Sequence, residues 1–503
     1  MEERSRLRSE RLRVVSGVVV GVVATFGSGL LLDYKLIADT LASKPHNYSQ
    51  TEVELVYFCG LLGLSLGQGS SWALRRVSAM WLCVVCCVAS LVSFLLVWSA
   101  RLPRHFDSRA PIAGLCYFVA GQSAAYLYHT TLFVNFKNAT KRHSGKASGL
   151  LHASFCAAPF LMFVVLHSIG VRPESSAIFL CQAGIISLAS FCCILFLRSV
   201  KRVKQSAALP VGGSSMVGRR QARDAAAPVA RPLGRPPSAP DVRAYTSRAL
   251  EWDDPITSDT EVGSEGDMSD TASVDEDFAE LDAAQLTRVA ASAEDPLSAA
   301  CRPLRLFSYY PPLVVFACSF AGLLLLWRQP AVVFGTAAVS DGLAWHAAVG
   351  AGVLLAAPCA GALTDAFGGT AARRLRAGNL IFLGLLAHLM SLAACAATRL
   401  SGQESSGDGA FGVALVGGFS SGLLCGLLFT CVPCHLRARF GGTSWLAFHW
   451  SNLLSAGLLL AWAVELLVRN FVGADDDASR WLLLAVLGVL HLCSLIWNCA
   501  LTA

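Results

Sequence analysis

The chain has 503 residues, of which 54% are hydrophobic and 15% are charged, with a formal net charge of +6. Soluble domains usually contain about 25% charged residues. This composition excludes an ordinary soluble protein and predicts a protein that is embedded in a membrane.

Long apolar runs occur in two groups of six. Crossing the hydrocarbon core takes about 20 residues of helix, and lipid cannot satisfy an open backbone, so each run is expected to be an α-helix. The first group lies at about 14–33, 53–72, 79–99, 111–134, 148–169 and 176–197, and the second at about 308–327, 344–363, 378–397, 410–433, 445–468 and 480–500. We therefore expect an all-α polytopic membrane protein of about 12 transmembrane helices in two six-helix bundles, at 14–198 and 305–503.

Basic residues are unevenly distributed between the two sides. The N-terminal segment 1–13 carries five arginines, and the loops on the same side hold more Lys and Arg than the loops on the other side. The positive-inside rule then places both termini in the cytosol. The sequence does not distinguish the plasma membrane from an organelle membrane.

Residues 199–304 form a hydrophilic segment between the two groups. Its first part is basic and rich in Pro, and its second part, 251–295, is strongly acidic. Segments with few apolar residues and blocks of like charge do not bury enough surface to fold, so we expect a disordered cytosolic linker. Ser258, Ser264 and Ser273 each precede an acidic residue by three positions, which makes the acidic part a candidate kinase substrate.

A loop motif follows the eighth run on the cytosolic side. It contains Gly361, Asp365 and Gly368, followed by the basic pair Arg373 and Arg374. The glycines permit close helix approach and a turn, and the carboxylate can accept charge-assisted hydrogen bonds from a helix end or an Arg. We interpret the five residues as a latch for one of two conformations. The motif resembles the loop signature of the major facilitator superfamily.

Further segments are similar to the nodulin-like branch of that superfamily. They are Tyr48-Ser49-Gln50 before the second run, the stretch from Gly121 to Tyr126 in the fourth, residues 144–151, and the stretch from Gly422 to Gly426 with Phe440-Gly441. The resemblance implies a twelve-helix transporter fold.

Polar side chains within apolar runs are costly and are therefore candidates for function. In the fourth run Gln122, Tyr126 and His129 are spaced four and three residues apart, which places them on one helical face. Other runs contribute His152, His388, Glu465 and His491. The first and fourth helices of each half commonly line the cavity of such transporters, which favours Tyr126 and His129 of the fourth run. With the intramembrane polar residues of the other runs, the candidate substrate-binding residues are Gln122, Tyr126, His129, His152 and His388.

No cofactor, metal centre, catalytic constellation or nucleic-acid partner is indicated. Cys431, Cys434 and His435 have the spacing of a c-type haem attachment site, but they lie at the cytosolic end of a span, where attachment is not expected. No phosphate-binding Walker motif is present. The sequence therefore predicts a secondary-active or facilitative transporter of a small solute, by alternating access. An organic acid, an amino acid, and a metal ion or its complex remain as substrates. A non-transporting sensor on a transporter scaffold is the alternative.

Overall fold

The computed structural model describes residues 2–43, 46–99, 109–139, 144–171, 175–197, 309–335, 342–366, 370–400, 407–440, 443–471 and 477–502. All regular elements within these ranges are helical. The predicted linker 199–304 and the predicted kinase sites lie outside them.

Before the linker the helices are α1 (Glu2–Gly29), which continues as a 3-10 turn (Leu30–Leu32), α2 (Tyr34–Ala42), α3 (Gln50–Ser65), α4 (Gly69–Arg76), α5 (Ala79–Ser99), α6 (Arg109–Asn138), α7 (Ser144–Ser168) and α8 (Ala177–Phe196). After the linker they are α9 (Tyr310–Arg328), α10 (Pro330–Phe334), α11 (Gly342–Asp365), α12 (Thr370–Leu400), α13 (Gly407–Phe440), α14 (Thr443–Phe471) and α15 (Asp477–Thr502). We call the two sets the N half and the C half.

Ten of these helices are long and apolar enough to cross a membrane. The other two long helices are α3, with only 16 residues, and α6, whose 30 residues include many polar side chains. With these two, each half contains six long helices. Successive helices alternate in direction, so α1, α7 and α9 begin on one face of the bundle, the terminal face, and α3 and α11 begin on the opposite face.

The second predicted span, at about 53–72, is not one helix. Helix α3 ends at Ser65 and a separate helix, α4, starts at Gly69. Gly67 and Gly69 lie at this break, and glycine is a poor helix former. A methyl group on Gly67 would lie 2.6 Å from Cε1 of His129, so the break also depends on a glycine for its close contact with α6.

The two halves repeat one packing arrangement. In the N half, a methyl group on Gly63 would lie 2.2 Å from the carbonyl oxygen of Phe118, and in the C half one on Gly352 would lie 2.3 Å from that of Phe419. The second helix of each pair also contributes a glycine. Gly121 of α6 lies equally close to the backbone of α3, and Gly422 of α13 lies equally close to the backbone of α11. The pairs α3·α6 and α11·α13 are therefore equivalent, and they show an internal repeat at the level of backbone contacts.

The halves meet mainly along α7 and α11, which run antiparallel. A methyl group on Gly149 would lie 2.4 Å from the carbonyl oxygen of Ala357, and one on Gly361 would lie 2.2 Å from that of Gly145. Small residues at such contacts let membrane helices approach closely and gain van der Waals contact. Toward the opposite face, Phe163 of α7 stacks on His346 of α11 with ring centroids 4.0 Å apart.

Candidate site between the two halves

Three of the predicted substrate-binding residues face the break between α3 and α4. Gln122 donates hydrogen bonds from Nε2 to the carbonyl oxygens of Gly63 (2.8 Å) and Leu66 (3.0 Å). A methyl group on Gly69 would lie 2.3 Å from the hydroxyl oxygen of Tyr126. These two side chains therefore support the carbonyl groups and glycines of the break.

His129 supports the same break and also contacts the other half. Its Nδ1 lies 2.8 Å from Oγ of Ser70, and its Nε2 lies 3.5 Å from Oγ of Ser451 in α14. Close by, Gln68 donates to Oδ1 of Asn452 at 3.3 Å. Ser455 donates to the carbonyl oxygen of Ser65 at 3.0 Å. The break and α14 are thus joined by polar contacts on the terminal side of the centre.

Aromatic side chains from both halves converge at the centre of the bundle. We call this group the central cage; it comprises Tyr128, His152, Phe155, Phe316, Phe320, Phe429 and Trp450, each at most 3% exposed. Tyr128 stacks on Phe155 with centroids 4.3 Å apart, and Phe155 lies 5.9 Å from Phe429. Indole Nε1 of Trp450 donates to the hydroxyl of Tyr128 at 3.1 Å. The cage is shared, since α6 and α7 supply one wall and α9, α13 and α14 supply the other.

His152 is the predicted site residue that lies in the cage. Its ring is 5.6 Å from the ring of Trp450 and 6.4 Å from that of Phe429. Nδ1 lies 2.7 Å from the carbonyl oxygen of Ser148. Nε2 is buried and has no hydrogen-bond partner within the described part of the chain. A ring nitrogen without a hydrogen-bond partner therefore lies where the two halves meet.

The cage is chemically neutral apart from its histidine. Its seven side chains are aromatic or imidazole groups, and none carries a carboxylate, ammonium or guanidinium group. The cation–ring contacts among the described residues involve rings outside the cage. Two thiols accompany it: Cys156, one turn after His152 on α7, lies within hydrogen-bonding reach of Cys425 on α13. Such a site favours apolar surface and offers few polar contacts.

His388 lies elsewhere. It is buried within the C half, where its Nδ1 is 3.1 Å from Oγ of Ser420 and its ring is 4.8 Å from that of His491 on α15. His491 packs against Gly322 of α9. The pair therefore joins helices of one half and does not reach the surface between the halves.

Asp365 of the predicted latch binds the start of α7. Its two carboxylate oxygens accept hydrogen bonds from the backbone N–H groups of Gly145 (2.8 Å) and Lys146 (2.7 Å). A negative charge at a helix N-terminus is favourable because the first N–H groups of the helix have no internal partner. Gly361, one helical turn before Asp365 on α11, packs against Gly145. Gly368 and the side chains of Arg373 and Arg374 are outside the described residues.

The opposite face is held by a cation and two tyrosines. Arg328, at the end of α9, forms an ion pair with Glu465 of α14. Its guanidinium carbon also lies 4.4 Å from the ring centroid of Tyr34 and 5.8 Å from that of Tyr57. The two tyrosines belong to the N half, so this contact ties the halves together at the end remote from Asp365.

The Tyr48-Ser49-Gln50 segment forms the loop that leads into α3. Ser49 and Glu52 form a capping box at the start of that helix. Arg109 donates to the carbonyl oxygens of His46 (3.1 Å) and Asn47 (3.0 Å) and lies over the ring of Tyr48. Burial, and then the charge of Arg109, lower the pKa of His46. The segment thus fixes a loop on the opposite face and does not reach the cage.

Within the described ranges, no three His, Cys, Asp or Glu side chains come together as ligands for a metal ion. Cys431, Cys434 and His435 lie within α13. Cys434 has hydrogen-bond contacts to Ser148 and Thr364, which places it among the helices that join the halves on the terminal side.

Sequence reasoning missed most of the cage. Tyr128 lies outside the predicted set, which contains its neighbours Tyr126 and His129. The phenylalanines of the cage carry no distinguishing sequence signal, because the chain contains 26 of them. A signal for Tyr128 does exist: it follows Gly121 by the same number of residues as Phe429 follows Gly422. The internal repeat therefore pairs these two residues, one from each half.

No protein-family model matches the sequence, and no curated protein matches it. The fold is similar to solved structures of transporters, two of which are of XylE. A structure of XylE, a proton:xylose symporter of the major facilitator superfamily, bound to 6-bromo-6-deoxy-D-glucose, superposes with a TM-score of 0.59 at 13% identity over 96% of this chain and 95% of that one. The partially occluded inward-open conformation of the xylose transporter XylE from E. coli superposes with a TM-score of 0.54 at 12% identity over 95% and 98%.

These similarities confirm the predicted fold class. The nodulin-like resemblance remains a prediction. The chain is a multi-pass membrane protein with the major facilitator fold.

Proposed function

We propose that the protein is a secondary-active or facilitative transporter that moves a small solute by alternating access around the central cage. The observation that carries this proposal is the arrangement of contacts between the halves. They meet at a shared central site and are joined by separate contacts on the terminal face and on the opposite face. Breaking one set while keeping the other would expose the cage to one side at a time.

The two sets of contacts then act as gates. Asp365 at the start of α7 and the polar contacts of the α3–α4 break close the terminal side, whereas Arg328 with Tyr34 and Tyr57 closes the opposite side. In this proposal the latch comprises Gly361, Asp365 and Gly368, with Arg373 and Arg374. Its partner is the first turn of α7.

We also propose a membrane topology and a family branch for the protein. Both termini lie in the cytosol, as the distribution of Lys and Arg indicates, and the protein belongs to the nodulin-like branch. The membrane is the plasma membrane or that of an organelle. A kinase acting on 251–295 would regulate the protein from the cytosolic side.

Uptake into proteoliposomes tests the function. Purified protein would be given monocarboxylates, amino acids, ferrous iron and neutral polyols, with and without a proton gradient. We expect saturable flux of one class that is lost in Trp450→Ala, which opens the cage. Trp481→Ala is the matched control, because Trp481 is 41% exposed and lies on α15, which supplies no residue of the cage.

Binding without flux would instead support the sensor. Equal flux in protein-free liposomes, or equal loss of flux in both tryptophan variants, would count against transport through the cage.

A further inference from the structure

The protonation of His152 follows from its hydrogen bonds. Nδ1 lies 2.7 Å from the carbonyl oxygen of Ser148 and 3.1 Å from the hydroxyl oxygen of the same residue. The carbonyl oxygen is the nearer of the two and can only accept, so we assign the hydrogen of the ring to Nδ1. In the neutral ring Nε2 then carries a lone pair and no hydrogen. This atom is an acceptor, it is buried, and no group of the described residues donates to it.

Among the described residues no donor of the cage bonds to it, and the Tyr128 hydroxyl, which can donate as well as accept, forms no hydrogen bond with Nε2. Trp450 has a single side-chain donor, and it is directed at the hydroxyl of Tyr128. The phenylalanines of the cage have none. An unpaired buried acceptor is unfavourable, and native proteins keep few of them without a reason such as a function or a bound partner.

We infer that His152 Nε2 is the polar anchor for the transported solute, and that the solute is an uncharged molecule with an O–H or N–H donor on an apolar or ring-shaped body. This inference rests on the proposed function and narrows its substrate class. The donor satisfies Nε2 while the body packs against the aromatic faces of the cage. A single well-placed hydrogen bond inside an apolar pocket fixes orientation and gives specificity.

Charge selects against the other classes. A carboxylate would meet the lone pair of Nε2 in the neutral ring, and the cage side chains include no Lys or Arg to balance its charge. An ammonium group could donate to Nε2, but the cage side chains include no Asp or Glu, and burying an unbalanced charge is costly. The geometry therefore disfavours both anionic and cationic solutes relative to neutral ones.

The position of His152 also links binding to motion. His152 and Phe155 lie on α7 of the N half, whereas Phe429 and Trp450 belong to the C half. In this conformation the rings pack against one another, so a solute enters when the halves separate at one face. A solute bonded to His152 and stacked on Trp450 would then hold both halves.

Direct binding to the purified full-length protein tests the inference. Two series of probes each keep one body and change the charge: indole-3-ethanol, indole-3-acetate and tryptamine, and D-glucose, D-gluconate and D-glucosamine. We expect the neutral member of at least one series to bind, with its charged counterparts at least about tenfold weaker.

Variants assign the contact to Nε2. His152→Phe keeps a ring but removes the acceptor and should weaken binding of the neutral probe about tenfold or more, whereas His152→Gln can place an oxygen near Nε2 and should recover part of it. His491→Phe is the matched control. Its Nδ1 likewise donates to the carbonyl four residues earlier (Leu487, 2.7 Å) and its Nε2 is unpaired, but it lies inside the C half. If His152→Phe does not fold, His152→Asn, which has no acceptor at the Nε2 position, replaces it.

Tightest binding of an anion or a cation would overturn the inference, as would binding that His152→Phe leaves unchanged, or no binding of either neutral probe. Failure of the proposed transport function can be distinguished from failure of the His152 anchor. Neutral binding that depends on His152, without flux, would leave the anchor in place and remove transport. Flux that is insensitive to His152→Phe would leave transport and remove the anchor.

Discussion

The carboxylate of Asp365 in the C half accepts a hydrogen bond from the backbone nitrogen of Gly145 in the N half, at a distance of 2.8 Å. The second oxygen of the same carboxylate binds the next amide, that of Lys146. A single side chain therefore supplies hydrogen-bond acceptors for two of the N–H groups in the first turn of α7.

Asp365→Asn is expected to loosen the terminal face. The amide keeps one acceptor but loses the charge and the second bond, which should cost about 1–2 kcal/mol of the closed state. We expect amide hydrogen exchange in the first turn of α7 to rise about tenfold, with unchanged exchange in α5. Unchanged exchange at Gly145 and Lys146 would show that the carboxylate does not hold this end.

Gly149→Ala tests the close approach of α7 and α11. The added methyl group would lie 2.4 Å from a carbonyl oxygen of α11, so the two helices must move apart and the terminal face should open. Spin labels at Ser78 and Tyr310, one on each half, would report a longer distance. The matched control is Gly488→Ala, because a methyl group there meets nothing within 4 Å; an equal effect of both substitutions would contradict the prediction.

Oxidation of Cys156 and Cys425 is expected to lock the halves together. Iodine would take two electrons from the two thiols, which lose two protons as the disulfide forms, and the new bond would join α7 to α13. With a protease site placed in the linker, the cut chain should run as one band before reduction and as two bands after it. Flux should stop on oxidation and return on reduction.

Cys83 and Cys193 provide the comparison for that experiment. Their thiols are also within hydrogen-bonding reach of one another, but both belong to the N half. Cys156→Ser should abolish the cross-link between the fragments, whereas Cys83→Ser should not. A cross-link that persists in Cys156→Ser would show that another pair joins the halves.

Tyr34→Leu is expected to weaken closure at the opposite face. It removes the ring that lies nearest to the guanidinium of Arg328, and such a contact contributes about 0.5–2 kcal/mol. Spin labels at Ser99 and Leu400 should show a larger open fraction. Tyr34→Phe keeps the ring and should resemble the parent protein; if it behaves like Tyr34→Leu, the hydrogen bond from Gln50 to the Tyr34 hydroxyl is the important contact.

The helices could be predicted from the sequence because an apolar run of bilayer length leaves the backbone one stable choice. The third span, predicted at 79–99, is Ala79–Ser99 in the structure. The break in the second span could not be predicted in the same way. Hydropathy does not register that Gln122, Tyr126 and His129 approach from another helix, or that Gln122 donates to carbonyl groups exposed at the break.

The candidate site was harder to predict for a related reason. Periodicity places Gln122, Tyr126 and His129 on one face of α6, but it does not say which helix that face meets. The face meets α3 and α4, and Tyr128, outside the predicted set, points into the cage. His152 and His388 likewise look alike in the sequence, and only the packing separates the one between the halves from the one inside a half.

The repeated packing of the halves bears on the orientation of a transported solute. Tyr128 and Phe429 occupy equivalent positions, yet only one of them has a hydroxyl group, and His152 lies on the same side as that hydroxyl. A nearly symmetric scaffold therefore encloses a polarised compartment. A solute bound there would keep its polar end toward the N half throughout the transport cycle. A carrier of this design would therefore distinguish the two ends of its solute in both directions of transport.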